Sequence, residues 1–68
     1  MKQLRAIRER LNMTQQQLAD VLGVSRTTVT MWETSPTMPY ARMLVKLADA
    51  LDVTVDELLG VNEMEETE

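Results

Sequence analysis

Thr14-Gln15-Gln16-Gln17-Leu18-Ala19-Asp20-Val21-Leu22-Gly23-Val24-Ser25-Arg26-Thr27-Thr28-Val29-Thr30-Met31-Trp32-Glu33 is the stretch on which the fold turns. It contains the same device twice. Met13 and Leu18 flank Thr14 as N′ and N4 residues flank an N-cap, with Gln17 at N3. Val24 and Val29 flank Ser25 in the same frame, with Thr28 a weaker N3 residue. A hydroxyl at the N-cap accepts an orphan backbone N–H, and the apolar pair fixes how the chain enters the helix. Two helices are therefore expected, starting near residues 14 and 25. They are joined only by Leu22-Gly23-Val24, and Gly23 is placed to supply the positive φ that ends the first. So short a joint makes the helices cross steeply, and Ala19 has to be small where the second packs over the first.

Working outward, Leu4, Ile7 and Leu11 recur at helical spacing and predict a helix over 2–11. Val53-Thr54-Val55-Asp56-Glu57-Leu58 repeats the cap-and-staple frame with a full capping box, starting another helix near 54. Between them, Pro39 suits a first helical position because its missing N–H costs nothing there, and Met43, Leu44, Leu47, Ala48 and Leu51 follow the i, i+3, i+4 pattern. The expected fold is all-α, a compact bundle of five short helices. Two glycines, two prolines and the absence of phenylalanine argue against a β sandwich, which needs turn residues often. Residues 1–62 read as one domain and 63–68 as an acidic, disordered tail.

Composition narrows the function classes. The 68 residues leave room for one small domain with a marginal core. With no cysteine and no histidine, disulfides, the usual zinc and haem sites and most nucleophilic chemistry fall away, and Ser25 and Ser35 lack a general base at any suggestive spacing. The expectation is a protein that is not an enzyme and needs no metal or cofactor. No apolar run approaches the roughly 20 residues of a membrane span, which with the absence of cysteine reads as a cytoplasmic chain. The net charge of −4 conceals a division. Residues 1–46 hold all seven basic groups and sum to +4; residues 47–68 have eight acids, no base and sum to −8. A basic N-terminal part is compatible with a polyanionic partner.

The paired helices from Gln15 to Glu33 have the spacing of a helix-turn-helix, whose second helix, here about 25–33, enters the DNA major groove. With Val29 and Trp32 turned to the core, Arg26, Thr27, Thr30 and Met31 face outward as candidate base contacts. Arginine can grip guanine, threonine can hydrogen-bond or touch a thymine methyl, and methionine offers apolar contact. Gln15 and Ser25 at the two helix starts, with Tyr40 and Arg42 at the next, are the candidate phosphate contacts.

The chain resembles the Cro/CI-type (XRE-like) helix-turn-helix domains of phage repressors and bacterial transcriptional regulators over about residues 2–61. The resemblance rests on Ile7-Arg8-Glu9, Thr14 through Ala19, Leu22 through Arg26, Val29 through Glu33, Pro39 and Leu51 through Leu59. It implies a buried pair, Arg8 with Glu33, that fixes the first helix against the recognition helix. It also implies a repressor binding a near-palindromic operator in double-stranded DNA as a weak homodimer, for which Leu58, Leu59 and Val61 are the candidate interface. The sequence departs from the family's pattern at Ser35-Pro36, where a glycine and a basic residue are usual, at Tyr40 in place of serine or threonine, and at Met31, commonly polar or basic. The alternative is an antitoxin-like module that neutralises a protein partner through its acidic half. Arg26 and Gln15 at the two helix starts favour DNA, and a partner that co-purifies would favour the alternative.

Overall fold

A computed structural model describes residues 1–60 of the chain. Val61 and the acidic segment 63–68 lie outside the described residues. Five helices follow in order: α1 (Lys2–Arg10), α2 (Gln15–Leu22), α3 (Arg26–Thr34), α4 (Ala41–Leu51) and α5 (Val55–Leu59). The described residues contain no strand, and none of their helices is long and apolar enough to cross a membrane.

Local chemistry sets the starts of α2, α3 and α5. Thr14 Oγ1 accepts the Gln17 N–H at 3.0 Å while Gln17 Oε1 accepts the Thr14 N–H at 2.8 Å, closing the capping box. Thr54 and Glu57 close the same box on α5. Ser25 Oγ accepts the Thr28 N–H at 3.2 Å, and the two hydroxyls bond each other at 2.9 Å. Gly23 ends α2 at φ 74°, the left-handed conformation that a side chain resists.

The core collects one stripe from each helix. Leu4 and Ile7 of α1 meet Leu18 and Ala19 of α2, Val29 and Trp32 of α3, Met43, Leu47, Ala48 and Leu51 of α4, and Leu58 of α5. Helix α2 packs on α3 and α4, while α1 packs on α3 and α5. The recognition helix is thus held on two sides, by the helix before it in the joint and by α1.

Three expectations need correction. Leu11 is not in the core: α1 ends at Arg10, Asn12 turns the chain at φ 57°, and Leu11 is left exposed. Pro39 is not the first residue of α4. The first helical bond runs from Leu44 N–H to the Tyr40 carbonyl, so Tyr40 is the N-cap and Pro39 sits buried one residue before it. Leu58 is 0% exposed and fills the domain's own core, so it is not available to a dimer face. In the five residues of α5, which pack on α1, Leu58 is the buried one and half-buried Val55 lies against the same core.

Candidate nucleic-acid interface

Helix α3 turns two faces in two directions. Val29 and Trp32 are buried, and Arg26, Thr27, Met31 and Thr34 are exposed. At 100° per residue the exposed set, with half-buried Thr30 among them, forms one stripe. Thr34 extends this stripe one position beyond the range read from the sequence, since α3 runs to Thr34. Met31 is 44% exposed and offers its apolar side chain to the outer face of α3.

The start of α2 lies beside the start of α3. Arg8, Thr14, Gln15, Gln16 and Arg26 line a depression of about 270 Å³ between them. The Thr14 hydroxyl caps Gln17, so the Gln15 and Gln16 N–H groups are the orphan donors of this helix start. Orphan amides at a helix N-terminus, next to an arginine, attract anionic oxygens. Ser25 is spent differently: its hydroxyl bonds the Thr28 amide and hydroxyl, which leaves it less free for a phosphate.

Behind the outward stripe is a polar network that sequence reasoning found only in part. Arg8, 7% exposed, donates from Nε to Glu33 Oε2 at 2.6 Å and from Nη2 to Glu33 Oε1 at 3.2 Å. Its Nη1 donates to the Met13 carbonyl at 2.7 Å, tying in the turn before α2. Gln15 adds the third helix: Nε2 donates to Glu33 Oε1 at 2.9 Å and Oε1 accepts from Thr30 Oγ1 at 3.0 Å. Burial by itself would push the Glu33 carboxyl up, but the hydrogen bonds from Arg8 and Gln15 and the charges of Arg8 and Arg5 hold it below the usual carboxylate range. The same contact with Glu33 raises Arg8 against the opposing effect of burial. The pair stays ionised, and every buried polar side-chain atom among the described residues has a partner. Nothing in the sequence pattern signalled Gln15 as a member, because its partners lie 15 and 18 residues away.

Tyr40, 66% exposed, makes no side-chain cap bond at the start of α4, so its hydroxyl is open to solvent beside exposed Arg42. Among the described residues the ion pairs are Arg8–Glu33 and the exposed Arg5–Glu9, so Arg26 and Arg42 keep their charge unneutralised by any carboxylate contact.

This fold and stripe are those of a DNA-binding helix-turn-helix module, and the comparison with known families agrees: the helix-turn-helix family model matches residues 4–58. The chain belongs to the Cro/CI-type (XRE-like) helix-turn-helix family. Among similar proteins is the cryptic phage CTXphi transcriptional repressor RstR of Vibrio cholerae, 43% identical over 78% of this chain and 47% of its own length. The HTH-type transcriptional activator BcrR of Enterococcus faecalis is 38% identical over 93% of this chain and 31% of its own. The HTH-type transcriptional regulator AnsR of Bacillus subtilis is 36% identical over 94% and 55%. The chain thus spans between about a third and just over half the length of these relatives. No solved structure matches it.

Proposed function

We propose that the chain binds double-stranded DNA sequence-specifically and regulates transcription, as a repressor on a near-palindromic operator. The observation that supports this reading most is the outward stripe of α3: an arginine with no carboxylate contact among the described residues, three threonines and an exposed methionine on one face of a helix locked from behind. Arg26 reads guanine, Thr27 and Thr30 approach base edges, and Met31 meets apolar surface such as a thymine methyl. The α2 amides, the remaining Gln15 N–H, Tyr40 and Arg42 hold phosphates on either side, with Ser25 a lesser contributor. The relatives, an activator and a repressor among them, support regulation and leave its sign to the operator's position.

Two copies then read the two half-sites. Leu59, 37% exposed, and Met38, 49% exposed, border an apolar depression of about 370 Å³ beside Gly60, where α5 ends. This surface supports Leu59 as part of a weak dimer contact, with Val61 next along the chain.

The test is selection of binding sites from a pool of random duplexes, followed by titration of the enriched site over a range of salt. Enrichment of one near-palindromic motif is expected, with an affinity that falls steeply as salt rises because phosphate contacts release counterions. Failure to enrich any motif refutes sequence-specific binding.

A further inference from the structure

The outward stripe of α3 divides into a donating end and an apolar end. Arg26 and Thr27 stand in the first turn, one with a guanidinium fork and the other with a hydroxyl. From Thr30 to Ser35 every side-chain hydroxyl is turned back onto the helix. Thr30 Oγ1 donates to the Arg26 carbonyl at 3.1 Å or to Gln15 Oε1 at 3.0 Å. Thr34 Oγ1 donates to the Thr30 carbonyl at 2.9 Å, and Ser35 Oγ to the Met31 carbonyl at 2.7 Å. Each hydroxyl has a single proton, so offering it to a base would break a bond already made within the helix. With the hydroxyl of a stiff β-branched side chain laid against its own helix, the methyl becomes the outer group of Thr30 and of Thr34. Met31, 44% exposed on the same face, adds a thioether that has no proton to donate. At the pitch of an α-helix the three positions fall within about 100° of one another and rise about 6 Å, nearly two base-pair steps of about 3.4 Å.

Resting on the DNA-binding reading above, we infer that Thr30, Met31 and Thr34 form an apolar strip that reads thymine methyl groups, so that each half-site carries thymines beside the base pair met by Arg26. In the major groove the C5 methyl of thymine is the apolar feature of the base edges, whereas the N7 and O6 of guanine call for donors. Donors stand at the Arg26 end. Methyl against methyl or thioether is the contact the rest of the stripe makes without giving up an inward bond.

The test takes the duplex selected by the unaltered chain and replaces its thymines by deoxyuridine one at a time, which removes the C5 methyl and nothing else. Affinity is expected to fall about fourfold at each of two adjacent positions in each half-site, the worth of one buried methyl group. Thr30→Ser and Thr34→Ser keep the hydroxyls and their inward bonds and lose only the methyls, and Met31→Ala removes the thioether. Each substitution is expected to shrink the deoxyuridine penalty at one of those positions and at none elsewhere. Equal affinity for thymine and deoxyuridine throughout the site overturns the inference and leaves DNA binding standing. So does a penalty that none of the three substitutions moves, or a selected half-site without thymine. Failure of the unaltered chain to select any motif overturns both readings. The deoxyuridine series needs no variant, so the inference stays falsifiable even where a substitution unfolds the chain.

Discussion

Arg26 and Glu33 stand at the two ends of one helix and carry opposite duties. Arg26, exposed and without a carboxylate partner among the described residues, offers its donor fork to a base or phosphate. Arg26→Ala is expected to cost about 1–3 kcal/mol of binding and to relax preference at one base pair, read by titrating sites that differ only there. An equal loss on every site would make Arg26 a phosphate clamp. Glu33 is inward and ionised, and its carboxyl lies below the usual range in the folded chain. A carboxylate whose folded pKa is depressed contributes stability that is complete above the unfolded value of about 4.3 and is lost as pH falls through the lowered folded value. Thermal melts from pH 7 downward should therefore show stability falling in acid, with a smaller fall in Glu33→Gln. Arg8→Ala is the harsher change, because it strands a buried carboxylate, and about 3–5 kcal/mol is expected at neutral pH.

At the scale of elements, the joint between α2 and α3 and the start of α5 separate two kinds of local control. Gly23 sits at φ 74° with nothing within 4 Å of where a Cβ would stand. Gly23→Ala is therefore a test of backbone conformation alone, and the left-handed penalty predicts a loss of about 1–2 kcal/mol by denaturant unfolding. Thr54→Ala removes the hydroxyl that accepts the Glu57 N–H and should cost about 1 kcal/mol. Both caps were legible from the chain because their partners lie within four residues. The start of α4 was read two positions early, since a proline suits either side of an N-cap and only the Leu44–Tyr40 bond shows which.

For the whole molecule, the division of charge and the small reading surface belong together. One recognition helix covers few base pairs, and Arg26 is the charged side chain on its outward stripe, so one copy should discriminate poorly. Two copies related by a two-fold axis place their recognition helices about one DNA turn apart, roughly 34 Å. The acids of residues 47–68 repel a second copy at low salt, so a weak dimer that DNA completes is expected. Mass measurements with and without the selected duplex check this. One chain bound at full affinity to a non-palindromic site refutes the dimer.

The sequence by itself determined the helices and the outward stripe of α3. Caps, staples and 3.6-residue periodicity act between neighbours in the chain, so Thr14, Ser25 and Thr54 announce starts, and Val29 with Trp32 assigns Arg26, Thr27 and Met31 to the other side. The Arg8–Glu33 pair was reached only through family resemblance, because no local pattern links residues 25 apart. Tertiary structure alone decided what α5 and the start of α2 do. Leu58 and Leu59 look alike in the chain, and packing on α1 buries the first and leaves the second exposed. Gln15 reads as a free polar residue until α3 folds across α2 and brings Glu33 and Thr30 to its two ends. Such contacts depend on the crossing of helices, a geometry that arises from the packing of the whole core and is written in no single segment.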